Sequence, residues 1–228
     1  MITLLGVGHV FDLGRSIRAE IQARRPRVVA LELDHPRFAA LVARAQGPAR
    51  PSFLAVLGRF QSRIASQYGV QVGDEMLAAA RAAQEVGSEI ALIDRESRQT
   101  LLRAWRLMPL RERVRLVTSV LGSLFIARTK VEEELARYEA DERAVMEEFA
   151  AQLPTAKRIL IDERDEHMAN TLRDLHRAKG DVLAVVGDGH IDGLRARLSD
   201  EAVQVVRLKQ LRARSEPPGT SATVTYQL

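Results

Sequence analysis

The chain has 228 residues, 46% of them apolar and 28% charged, which suits one compact unit or one unit carrying an insertion. It contains no cysteine, so disulfides, thiolate nucleophiles and Cys-ligated metal centres are excluded and any metal site must be built from His, Asp or Glu. The net charge of +4 sits largely beyond residue 206, where Arg207, Lys209, Arg212 and Arg214 oppose Glu216; the remainder is close to neutral, which argues against nucleic acid as a partner.

Taken in chain order, five runs rich in Val, Ile and Leu read as buried strands: Ile2–Gly6, Val28–Leu33, Glu89–Asp94, Val182–Gly187 and Val203–Leu208. Helical patterns at Leu13–Arg24, Gly73–Glu85 and Ile191–Leu198 alternate with them, and a further helical segment is expected at Phe53–Gln67. This alternation predicts an α/β fold with a mostly parallel central sheet flanked by helices. Between the third and fourth strands the period turns helical, with breaks at Pro109 and Pro154. Arg98–Leu107, Leu110–Ala127, Val131–Ala151 and Pro154–Lys179 form the expected helical insertion. The domain reading is therefore an α/β core of 1–94 and 181–208, an insertion of 95–180, and a C-terminal tail of 209–228.

Residues 95–115 carry a net charge of +5 and residues 132–148 a net −6, so the two blocks are expected to pair within the chain or across a homodimer. The stretch Leu116–Ala127 is too short and too interrupted to cross a bilayer, leaving peripheral membrane contact as the only membrane expectation. The first residues, Met-Ile-Thr-Leu-Leu-Gly, lack a basic leader and a cleavage site, so a cytoplasmic location is expected.

The chemistry concentrates in a repeated pattern. Leu5-Gly6-Val7-Gly8-His9-Val10 and Val186-Gly187-Asp188-Gly189-His190-Ile191 each end an apolar strand in Gly-x-Gly-His. In a parallel sheet, ligands gather at the carboxyl ends of the strands, and glycine allows unusual backbone angles and close approach there. Glu32 ends the second strand and Asp94-Arg95 the third. His9, Glu32 and His190 are thus a plausible ligand set for a divalent metal, with manganese, cobalt and zinc all suited to N/O donors. Glu32 could instead pair with Arg37 or act as a general base, and Asp94 reads as the cap of the helix that follows. Arg37, Arg95 and Arg164 are candidates for stabilising an oxyanion or gripping a substrate carboxylate. Glu163 or Arg164 could be brought to the rim by the helix after Pro154 as clamp or acid/base, while Glu163 and His167, four apart, read as an ordinary helix-face pair.

Together with Glu32-Leu33-Asp34-His35-Pro36-Arg37, Asp94-Arg95 with Thr100-Leu101 and Arg103-Ala104-Trp105, and Glu163-Arg164-Asp165 with Met168, the two Gly-x-x-His elements form an ordered set. The set resembles the TraB/PrgY (pheromone-shutdown) family, related to the Tiki metalloproteases and the GumN proteins. The resemblance implies an α/β core with a helical insertion and, through the Tiki branch, metal-dependent peptide hydrolysis with His9, Glu32 and His190 at the metal or catalytic positions. The alternative expectation is a non-catalytic protein that sequesters a peptide or small ligand as a dimer.

Overall fold

The structure is a computed structural model, and it describes residues 1–8, 11–46, 73–123 and 142–215. Its centre is a five-stranded, wholly parallel sheet of β1 (Ile2–Val7), β2 (Val28–Leu31), β3 (Glu89–Leu92), β4 (Val182–Gly187) and β5 (Val203–Val206), in the order β3-β2-β4-β1-β5. All five expected strands form, with β2, β3 and β5 each shorter by two residues at the carboxyl end. The described helices are α1 (Gly14–Arg24), α2 (His35–Gln46), α3 (Asp74–Val86), α4 (Ser97–Leu107), α5 (Leu110–Ser123), α6 (Glu142–Gln152), α7 (Pro154–Lys157), α8 (Glu163–Lys179), α9 (Ile191–Arg197) and α10 (Leu208–Ser215). The helix expected at Phe53–Gln67 lies outside the described residues.

The near-continuous hydrophobicity of the strands follows from burial on both faces. On one face Leu5, Val29, Leu31, Leu183 and Val185 pack against Ile17 and Ile21 of α1, Met76 and Ala79 of α3, and Leu211 of α10. On the other, Ile2, Leu4, Val28, Ala30, Val182 and Ala184 meet Met168, Ala169 and Leu172 of α8 and Leu194 of α9. The insertion has its own small cluster, in which Met108, Leu153 and Ala156 pack with Leu116, Phe149 and Leu160.

Two helices depart from the sequence reading. His35–Gln46 was not expected to be helical, yet Asp34 accepts a hydrogen bond from the Arg37 amide at 2.7 Å and starts it in the manner of an N-cap. Leu208–Ser215, read as the start of a polar tail, is a helix docked on α1, where Ser16 Oγ donates to the Leu211 carbonyl at 2.9 Å. The helix expected to run straight from Pro154 to Lys179 is interrupted by a π-helical turn at Arg158–Asp162. In the basic block Arg95 and Arg103 turn to Glu163, and Arg113 donates to the carbonyls of Met108 and Arg106. Much of the acidic block lies outside the described residues.

Strand order is what builds the site. The chain places β4 between β1 and β2, with Leu31 opposite Val185 and Val7 opposite Gly187. The ends of β1, β2 and β4 therefore open side by side.

Candidate functional site

Glu32 leaves β2 with its amide still donating to the Val185 carbonyl at 3.1 Å, so the side chain is fixed at the edge of β4. Its Oε2 accepts the Gly187 amide at 2.6 Å, and its Oε1 lies 2.5 Å from Arg164 Nη2 and 3.3 Å from His190 Nε2. Arg164, in the first turn of α8, forks onto Asp94 through Nε at 2.9 Å and Nη2 at 2.8 Å, and Nη1 donates to the Leu160 carbonyl. Arg37 reaches Asp94 at 3.2 Å. On the other side of the imidazole, His190 Nδ1 meets Asp165 Oδ1 at 2.5 Å. Glu32, Asp94 and Asp165 thus meet Arg164, Arg37 and His190 in one cluster at the carboxyl ends of β2, β3 and β4, with Arg197 3.8 Å from Asp165.

Electrostatics follow from this mutual enclosure. Burial by itself raises the Glu32 carboxyl, but the His190 charge and hydrogen bond, Arg164 and the Gly187 amide hold it well below the usual carboxylate range. Burial likewise disfavours the charged imidazole, yet Glu32 and the hydrogen bonds to Asp165 and Glu32 push His190 up to about 10, against repulsion from Arg164. Burial also works against the charge of Arg164, but Asp94 and Glu32 overcome it and raise its affinity for the proton further. At neutral pH the cluster is an ionised Glu32 between an imidazolium and a guanidinium.

Of the residues singled out from sequence, Glu32, Arg37, Arg164 and His190 come together around Asp94. Arg95 and Glu163 do not join them; they bond to each other at 3.3 Å in a neighbouring cluster with Arg103 and Arg158. Glu32 pairs with Arg164 rather than Arg37. Asp94 is not the cap of α4: it serves Arg164, Arg37 and the Arg95 amide at 2.8 Å, while Asp34 Oδ2 accepts the amide of Ser97, the first residue of α4. One carboxylate, Asp34, therefore ties the starts of α2 and α4. His9 lies outside the described residues.

In the repeated pattern it is Gly6 that acts through close approach. Among the described residues Gly6, Gly8 and Gly187 do not have positive φ. A Cβ at Gly6 would stand 1.9 Å from Asp188 Oδ1, which crosses the end of β1 to accept the Leu208 amide at 2.9 Å. Asp165 needs a similar gap, since a Cβ at Gly193 would lie 2.0 Å from its Oδ2. Asp165 and Asp188 had no assigned role in the sequence reading. A signal for Asp165 existed: it shares the spacing of Met168, Ala169 and Leu172, and so places a carboxylate on the buried face of α8.

Among the described residues no group of three or more His, Asp and Glu side chains is arranged to hold a metal ion. Two of the three expected donors do converge, and Asp165 behind His190 is the support that metal-binding imidazoles commonly have. The Arg164 guanidinium, however, lies against both donor atoms, 2.5 Å from Glu32 Oε1 and 3.3 Å from His190 Nε2. Glu32 already holds the Arg164 guanidinium and the His190 ring is protonated, so the pair as arranged does not fit a metal ion.

A family model described as TraB/PrgY/gumN matches residues 1–207. The chain belongs to the TraB/PrgY/gumN family. This TraB/PrgY/gumN chain is similar to the uncharacterized protein MJ1365 of Methanocaldococcus jannaschii, 30% identical over 214 residues, covering 85% of this chain and 52% of that protein. It thus spans about half the length of the curated relative it matches. A solved structure titled "Cofacial heme binding to ChaN of Campylobacter jejuni" aligns over 90% of this chain and 80% of that one, at 14% identity and a TM-score of 0.39, a likeness too loose to bear on the site. No helix among the described residues is long and apolar enough to cross a membrane.

Proposed function

We propose that the chain is a hydrolase of acyl bonds, a peptidase by preference, whose centre is the Glu32–His190–Arg164 cluster. The observation that carries this reading is a buried carboxylate and imidazole 3.3 Å apart, with Asp165 fixing the far nitrogen of the ring, at the strand ends where parallel sheets bind ligands. Glu32, ionised at neutral pH, takes a proton from the attacking water. His190 Nε2–H and Arg164 Nη1, 3.3 Å apart, offer two charged donors to the carbonyl oxygen as negative charge develops on it. In the resting site His190 Nε2–H and Arg164 Nη2 face Glu32 and hold its basicity down, while Arg164 Nη1 donates to the Leu160 carbonyl; a substrate carbonyl that draws His190 and Arg164 away leaves Glu32 a stronger base. His190 then supplies the proton to the leaving amine.

A second reading keeps the same hydrolysis but makes it metal-dependent, with His9, Glu32 and His190 as ligands for manganese, cobalt or zinc. Asp165 on His190 Nδ1 favours it, because that bond presents Nε2 to the cleft. This reading requires Arg164 to release Glu32 first, since the pair as arranged does not take an ion. In either form the chain acts as a homodimer, for which the exposed apolar row Leu110, Val114 and Val117 on α5 is the support.

Incubation with a peptide library, comparing wild type with Glu32→Gln and His190→Gln, tests the proposal. Cleavage by wild type that drops at least about a hundredfold in each variant is expected. Saturable binding with every peptide recovered intact would instead establish the sequestering protein.

A further inference from the structure

Against the rim lies a cavity of about 420 Å³, walled by Asp94, Arg95, Thr100, Arg103 and His167 among others. It adjoins the proposed centre through Asp94, whose carboxylate is the one gripped by Arg164 and Arg37. At this wall Arg95 from the turn after β3 and Arg103 from α4 both reach Glu163, where Arg158 of the π-helical turn joins them. Arg103 addresses both carboxylate oxygens, Arg158 donates to Oε1 at 3.1 Å, and Arg95 to Oε2 at 3.3 Å. Three guanidiniums from three separate elements thus share one carboxylate.

Charge is left over. The arginine side chains are 41%, 48% and 55% exposed, whereas Glu163 is 19% exposed, so half-open cations surround a largely covered anion. Of the other acids on this wall, Asp94 is taken up by Arg164 and Arg37 and Glu96 is hydrogen-bonded by Gln99, so the three arginines face two carboxylates, Glu163 and Glu96. Next to the arginines, His167 has its pKa lowered, first by burial and then by Arg95, against the pull of Asp94. Guanidinium forks recognise planar carboxylates in pairs of parallel hydrogen bonds, and here the forks already converge on one.

We propose that this cavity binds a carboxylate of the substrate through Arg95 and Arg103, and that Glu163 occupies those guanidiniums until a ligand arrives. The substrate class is then a peptide with a free carboxylate close to the bond that is cut, either the C-terminus or an acidic side chain. The inference rests on the hydrolase reading only for the word substrate. Binding is measured without turnover, so the two fail separately.

The test is calorimetric titration of the full chain with three probes: acetyl-trialanine as the free acid, the same peptide as its C-terminal amide, and acetyl-Ala-Glu-Ala amide. The free acid, the Glu-bearing amide, or both are expected to bind about tenfold or more tighter than the plain amide, and which of them does so identifies the source of the carboxylate. Arg103→Ala, at a half-exposed position, brings the preferred probe to within about twofold of the plain amide. Glu163→Gln, by removing the internal competitor, tightens it several-fold. Equal binding of all three probes, no binding of any, or weaker binding in Glu163→Gln would overturn the proposal. Carboxylate-selective binding in a protein that cleaves nothing would retain this site and remove the hydrolase reading.

Discussion

Arg164 makes more of the site's bonds than any other side chain, because it is the shared partner of two carboxylates with almost no access to water. The side chains of Asp94 and Glu32 are 0% and 8% exposed. Replacing Arg164 with Leu removes the partner the two carboxylates share, leaving Asp94 to Arg37 and Glu32 to His190 and the Gly187 amide, and breaking a buried pair costs about 3–5 kcal/mol. Urea denaturation should register a loss of that order; a loss under about 1 kcal/mol would mean that water already reaches the cluster. The imidazole gives a pH signature. His190 moves from an ordinary 6.5 to about 10 in the folded chain, so its contribution is complete below 6.5, declines as the unfolded chain alone releases its proton, and is gone above about 10. Glu32 acts in the opposite sense: its contribution is present above its ordinary 4.5 and is lost as pH falls through its depressed value. Stability measured from pH 6 to pH 10 should therefore fall, and His190→Gln should flatten that limb; an unchanged slope in the variant would assign the decline elsewhere. Glu32 and His190 were legible in the sequence because each ends an apolar run at a strand terminus. The partnership of Glu32 with Arg164 was not, since residues 132 positions apart are joined only by the packing of α8 on the sheet.

At the scale of elements, glycine sets how closely the pieces around the site approach. Gly193→Ala places a methyl on Asp165, and Gly6→Ala places one on Asp188. Each should destabilise by about 1–3 kcal/mol, the usual cost of overpacking. Gly193→Ala should also disturb the His190 ring, which two-dimensional NMR of the imidazole would register; an unmoved ring signal would show that Asp165 does not set its position. Helix α10 explains a failure of the sequence reading. Its eight residues include two leucines amid Lys209, Arg212 and Arg214, so no periodicity announces it, and its order comes from docking. Leu211 is fully buried in the core shared with α1, and Leu211→Ala should cost about 2–4 kcal/mol by chemical denaturation. Helix α2 carried a start signal in Asp34-His35-Pro36-Arg37, a capping residue followed by proline in the first turn, but Gly47-Pro48 soon after shortened the visible pattern.

For the whole molecule, strand and helix alternation was enough to expect a parallel sheet, because parallel strands need long crossovers and the crossovers were visible as helices. The order β3-β2-β4-β1-β5 was not readable, since nothing in one strand's composition names its neighbours. Yet the order assembles the cluster: inserting β4 between β1 and β2 sets Gly187 and His190 against Glu32 and leaves the end of β1 alongside. The charge balance of the rim also belongs to this scale, because its carboxylates come from β2, the end of β3 and α8, and its cations from α2, α8 and the turn after β4. The central claim is that these groups of the chain itself carry out hydrolysis. The most direct measurement is the peptide-cleavage rate of protein stripped by a chelator, read before and after adding back manganese, cobalt or zinc, alongside Glu32→Gln. The account predicts a rate that survives stripping, is unaltered by the ions and is lost in Glu32→Gln. A rate that vanishes on stripping and returns with one ion, or that persists in Glu32→Gln, would contradict it.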